Sequence, residues 1–204
     1  MATVVSYQLQ SVIPNTSQGK PVVLPLNTPL NDAGLINYLH EWLSALTGIN
    51  AKYVRPRWQP EPPNLPVDGI DWLAFGIVKR ESDTFASDTH FSDSDGYNIV
   101  RRQEVLHILV SCYGNNADNT MSMIREGMML SQNREGLAFA GISVIGCDES
   151  TIIPELVKER WLYRVDLPFK LSRIIERKYP ILNLLSAVVN IDSGGFNTNT
   201  IIKQ

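Results

Sequence analysis

Residues able to do chemistry are few in this chain and widely scattered. The three histidines, His40, His90 and His107, stand far apart, whereas imidazole metal sites need ligands at short, regular spacings. The two cysteines, Cys112 and Cys147, form neither a C-x-x-C pair nor a disulfide framework, and each lies in an apolar or strand-like context. Both read as buried thiols. The densest acidic run, SDTFASDTHFSDSDG over residues 82–96, carries Asp83, Asp88, Asp93 and Asp95 and reads as an acidic loop. Asp93, Asp95 and Gly96 fit the opening of a calcium loop, but the twelve-residue spacing and its closing Glu are absent, so no metal is expected. The sequence has no G-x-S-x-G elbow, phosphate loop, dinucleotide fingerprint or H-x-x-E-H. It therefore predicts no enzymatic activity and no cofactor.

The chemistry that remains is that of binding. Within YVRPRWQPEPPNLP, Pro56, Pro60, Pro62, Pro63 and Pro66 exclude regular helix and favour extended, polyproline-like backbone. Arg55, Arg57, Trp58, Pro60, Pro62 and Pro63 are the candidate interface residues. An aromatic on a stiff segment with few internal hydrogen bonds either anchors a partner or pins the loop to its own core. The sequence leaves both readings of Trp58 open.

The elements that must position this block can be read from periodicity. WLYRVDLPFKLSRIIER, residues 161–177, alternates with period two: Trp161, Tyr163, Val165, Leu167, Phe169 and Leu171 share one face, and Arg164, Asp166, Lys170 and Ser172 the other. That pattern predicts a long strand with one buried face, bulged or at an edge near Pro168. Leu35, Leu39, Trp42 and Leu46, widened by Ile36 and Leu43, predict a helix that begins at Thr28-Pro29 or after Asn31 and ends at Gly48. Residues 72–79 read as a central strand apolar on both faces, and Tyr97–Tyr113 as a second long strand with Leu106, Ile108, Val110 and Cys112 inward. Ala117, Met121, Ile124 and Met128 predict a second helix reaching about Gln132. A short strand follows at 142–145, a loop or turn at 154–159, and a last strand over 181–191. The fold class expected is α+β: a mixed or antiparallel sheet with long strands, two helices packed on one face, and extended N- and C-terminal arms. The expected boundaries are an arm over 1–27, one domain over 28–191 and a flexible tail over 192–204.

Composition sets limits on partners. The chain has 204 residues, 44% of them hydrophobic, and a formal net charge of −3. That is enough for a real core, and the negative balance argues against a protein whose main task is gripping phosphate backbones. No apolar run approaches the roughly 18 residues of a membrane span, and no signal-peptide pattern opens the chain. A soluble protein made in a cytosol is expected.

The block Tyr53-Val54-Arg55-Pro56-Arg57-Trp58-Gln59-Pro60-Glu61-Pro62-Pro63, followed by Asp71-Trp72-Leu73-Ala74-Phe75-Gly76-Ile77, resembles the neck or tail terminator (tail-completion) proteins of tailed bacteriophages. Ser111-Cys112-Tyr113-Gly114, Arg125-Glu126-Gly127, Gln132-Asn133-Arg134, Glu159-Arg160-Trp161 and Arg164-Val165-Asp166 resemble the same family. The resemblance spans roughly residues 29–190. It implies a structural virion protein at the neck, assembled in the host cytoplasm as a ring, usually a hexamer. Such a ring would end the tail tube, join it to the head connector, and let DNA pass through its channel without specific binding. The alternative from a different class is a monomeric protein-binding module using the Pro-rich Trp58 loop.

Overall fold

The computed structural model describes residues 5–9, 25–26, 32–61, 63–67, 69–92, 96–157, 159–181, 186–193 and 196–203. In chain order the elements are β1 (Val5–Leu9), α1 (Asp32–Thr47), a 3-10 turn (Ala51–Tyr53), β2 (Val54–Pro56), β3 (Trp72–Ser82), β4 (Ser87–Phe91), β5 (Tyr97–Tyr113), α2 (Ala117–Gly127) and α3 (Ser131–Phe139). They continue with β6 (Ile142–Cys147), β7 (Thr151–Ile152), β8 (Glu155–Val157), β9 (Arg160–Leu162), β10 (Arg164–Pro180), β11 (Ser186–Ser193) and β12 (Phe196–Lys203). The class is α+β, as the periodicities predict. The chain divides into two compact units, one of Pro29–Ala86 with Arg102–Ile175, the other of Met1–Thr28, Ser87–Arg101 and Glu176–Gln204.

The first unit is a sheet with helices on one face. Its path runs β2-β3-β5-β10-β6, with β7 also paired to β10; β2 lies parallel to β3, and β3 antiparallel to β5. Inward residues of three strands (Leu73 and Phe75; Leu106, Ile108, Val110 and Cys112; Val165, Leu167, Phe169 and Leu171) meet Leu35, Leu39, Trp42 and Leu43 of α1 and Met121, Ile124 and Met128 near α2 in one core. Gly48 has φ +68 and ends α1, as expected of a residue without Cβ. The helix starts at Asp32, which agrees with the later of its two expected starts.

Several expectations need correction here. Among the described residues there are three helices, not two. The second apolar stripe breaks after Gly127, whose carbonyl accepts from Asn133 Nδ2 at 2.9 Å, while Trp42 Nε1 donates to the Asn133 carbonyl at 2.9 Å. These bonds fix a corner and let α3 set off in a new direction. β3 is apolar mainly on one face: its ladder shifts between Ile77 and Lys79, which leaves Val78 half-exposed. Residues 155–162, expected to include a loop, form the β8–β9 hairpin with Leu156 opposite Trp161. Trp161 is therefore not on the buried face of β10. It is 71% exposed, and Tyr163, in the break between β9 and β10, is also exposed.

Pro168 sits where its missing N–H costs nothing. Its carbonyl accepts from Asp148 N at 2.9 Å, and backbone N and O of one strand residue point to the same side. The proline thus faces the gap between β6, whose pairing reaches Phe169, and β7, whose pairing resumes at Asp166. The expected irregularity appears nearby, as a register shift between Lys170 and Leu171.

In the second unit, part of the expected acidic loop is strand β4, which pairs with the start of β5 from Ser87↔Arg101 to Phe91↔Tyr97. Asp88 accepts from Asn98 Nδ2 at 2.9 Å; Asp93 and Asp95 lie outside the described residues. The Lys178 ammonium stands 3.6 Å from the Tyr97 ring centroid. The order β1-β11-β12 forms a three-stranded antiparallel sheet, so residues 196–203, read from composition as tail, are a strand.

Candidate functional site

The proline-tryptophan block is built outward from β2. Val54 is buried in the core and fixes the strand, and Arg57 N extends the parallel ladder by donating to the Phe75 carbonyl at 2.7 Å. Arg57 Nη2 donates to Ser111 Oγ on β5. With both its main chain and its head group held, Arg57 sets the direction of the next residue. Trp58 has φ +58, a left-handed conformation that costs a side chain of this size of order 1–3 kcal/mol. This turn lays the indole across β3 at Gly76, where an added Cβ would come within 2.6 Å of Trp58 Cζ3. The glycine is what lets the ring approach the strand. Trp58 remains 70% exposed, so it does not fill the core.

The rest of the block turns back over this platform. Gln59 Nε2 donates to the Pro56 carbonyl at 2.9 Å, and Arg55 Nη1 donates to the Asn64 carbonyl at 2.7 Å, which ties down the returning proline segment. The Arg55 guanidinium lies 5.6 Å from the Trp72 ring, and Trp72 stacks on Tyr113 at 4.0 Å and 3°. A groove of about 290 Å³ results, lined by Arg55, Arg57, Trp58, Pro63, Leu65 and Trp72, among others. Of the six interface residues expected from sequence, the structure brings Arg55, Arg57, Trp58 and Pro63 to this groove. Pro60 is exposed without lining it, and Pro62 lies outside the described residues.

Below the groove, on the sheet face away from the helices, runs a chain of polar groups. Ser111 Oγ accepts from Arg57 and donates to Asp166 Oδ1. Arg164 grips Asp166 with Nε and Nη2, both at 2.7 Å, and reaches Glu155 Oε2 on β8 with Nη1 at 3.0 Å. Tyr113 OH donates to the same Glu155 oxygen at 3.3 Å. The bond to Asp166 raises the Arg164 pKa further, and burial raises that of Tyr113. Asp166 was expected to face solvent and is 6% exposed; its strand face is the expected one, but Arg164 and Ser111 cover it. Sequence reasoning missed Ser111, Asp166, Arg164, Glu155 and Gly76 as parts of the site. The available signal was the Arg164-x-Asp166 spacing, which puts opposite charges side by side on one strand face.

The Ser111 hydroxyl, beside the Asp166 carboxylate, also accepts from Arg57, and Arg164 holds both oxygens of Asp166. Among the described residues no cluster of three or more His, Cys, Asp or Glu could hold a metal ion. His107 lies on β5 opposite Lys79 of β3, with Nε2 3.2 Å from Glu81 Oε1. Cys112 is fully buried and Cys147 half-buried. Among the described residues no helix is long and apolar enough to cross a membrane.

A search of curated proteins finds no match. Comparison with protein families matches residues 33–197 to the phage neck terminator proteins. That range holds the whole groove, the polar chain beneath it and, but for the first residue of α1, the helices and strands of the larger unit described above. On a match over most of its length, the chain belongs to the phage neck terminator protein family.

Proposed function

We propose that this protein is a structural, non-enzymatic component of the phage neck, placed where tail meets head. It assembles with copies of itself into a ring, with six copies as the expected number. The ring stops growth of the tail tube, docks onto the head connector, and leaves a channel through which DNA passes without specific binding. Assembly takes place in the host cytoplasm. The negative net charge supports this reading, because a channel lining that gripped phosphates would hinder passage of DNA.

One observation carries the proposal: Trp58 is held in a strained backbone conformation, pressed against Gly76, and yet is 70% exposed. A large aromatic that is rigid and open before any partner arrives loses little entropy on docking, as interface anchors require. Arg55, Arg57, Pro60 and Pro63 complete the contact surface around it. Truncating a buried Trp costs about 3–5 kcal/mol, but this ring is mostly outside the core. Trp58→Ala should therefore leave the melting temperature of the free protein within a few degrees of wild type while failing to complement a phage lacking the protein. Electron microscopy of the lysate should then show unjoined heads and tails. A variant that unfolds, or one that yields normal virions, contradicts the anchor role.

A further inference from the structure

Two exposed indoles of the larger unit, Trp58 at 70% and Trp161 at 71%, stand on segments that one buried network ties to the sheet. On the Trp58 side the tie is Arg57. Its side chain crosses β3 beside Gly76, where an added Cβ would lie 3.2 Å from Arg57 Cβ, and ends on Ser111 Oγ of β5. Arg57 Nε is buried without a hydrogen-bond partner among the described residues, so the bond to Ser111 is what holds this head group. On the Trp161 side the tie is Glu155 of β8, whose Oε2 accepts from Arg164 Nη1 at 3.0 Å and from Tyr113 OH at 3.3 Å. Strand β8 in turn carries β9, with Leu156 opposite Trp161.

The two ties meet at Asp166, which is 6% exposed. Its Oδ1 accepts from Ser111 Oγ and from Arg164 Nε, and its Oδ2 from Arg164 Nη2. Because the Ser111 proton is given to Asp166, the lone pairs of the hydroxyl are left for Arg57. Two guanidinium groups and two carboxylates balance in this network, and each arginine has its own branch: Arg57 through the serine, Arg164 directly and on to Glu155. A buried network of charge-assisted bonds favours one arrangement, since any other leaves a charge or a donor unpaired.

We infer that Asp166 is a positioning residue for both indoles. Through Ser111 and Arg57 it fixes the turn that presents Trp58, and through Arg164 and Glu155 it fixes the hairpin that presents Trp161. That Trp58 meets a partner rests on the neck reading above; that Asp166 sets the two positions does not.

Nitrogen-15 NMR of the free protein tests this, because each of the four tryptophans gives one indole N–H signal, and single Trp→Phe replacements assign them. Ser111→Ala cuts the Arg57 branch alone; it should shift the Trp58 signal and lower its heteronuclear NOE, which reports fast motion, while leaving Trp161 unchanged. Glu155→Ala cuts the other branch and should do the reverse. Asp166→Asn sets an amide group against the donors of Ser111 or Arg164 and should loosen both indoles. The signal of core residue Trp42 should stay in place in all three variants, which a general loosening of the fold would not allow. The inference is overturned if neither indole responds, if both respond alike to Ser111→Ala and to Glu155→Ala, or if folded Asp166→Asn leaves either one unmoved. Should Asp166→Asn fail to fold, the two single-branch variants decide. Complementation is scored separately: a Ser111→Ala protein whose Trp58 signal moves but which builds normal virions supports the positioning role and contradicts the anchor role of Trp58.

Discussion

At Gly76 a single methyl group tests the site without touching Trp58. The added Cβ of Gly76→Ala would lie 2.6 Å from Trp58 Cζ3, so the indole must leave its seat. The obstacle is the edge of an exposed ring, not backbone, so the fold can yield cheaply. Expected is a melting temperature close to wild type, with complementation lost as in Trp58→Ala; normal virions from this variant would mean that the indole's position is irrelevant. Cys112 gives a second residue-scale prediction. Burial pushes its thiol pKa from 9.0 up to about 12, so the folded chain keeps a proton that the unfolded chain releases. The stability gained is complete below pH 9 and is lost as pH rises towards 12. Wild type should accordingly lose more stability over that window than Cys112→Ala, and iodoacetamide should label half-buried Cys147 well before Cys112. The exposure of Trp58 could not be read from its neighbours in sequence, because it depends on a positive φ and on a glycine 18 positions along the chain. Asp166 teaches the complementary lesson. Alternation correctly gave its strand face, but not the Ser111 hydroxyl from β5 and the Arg164 guanidinium from two residues away that cover it.

Among the elements, β10 is the one on which the core of the larger unit turns. Leu167 and Phe169 are essentially without solvent exposure, whereas the Lys170 side chain is 38% exposed and 3.8 Å from Asp148. An unpaired carboxylate in place of either apolar residue costs several kcal/mol, a large part of a total near 5–15, while an exposed lysine contributes little. Circular dichroism should show Leu167→Asp and Phe169→Asp unfolded and Lys170→Ala melting within a degree or two of wild type. Equal destabilisation would mean the faces are reversed. Long elements with clean periods, α1, β5 and the middle of β10, were legible because period two or 3.6 maps directly onto one buried face. The misread segments were short or polar. β4 is almost wholly exposed and β8 is three residues long, so neither has an apolar pattern to betray it. Strand β9 is too short to separate from the alternation of β10, and that merger misplaced Trp161.

For the whole molecule, the α+β class followed from the order of elements, while partners could not be read from composition beyond the exclusion of a phosphate-gripping surface. Family membership places the protein with phage neck terminators, over residues 33–197; its ring, its channel and its contacts are the claims that need a direct view. Immunogold electron microscopy of intact virions, with antibody raised against this protein, gives that view most directly. The account predicts gold at the head–tail junction of virions and at the head-proximal end of free tails. Gold on the capsid or the tail tip, or virions without label while the purified protein is recognised, would contradict it.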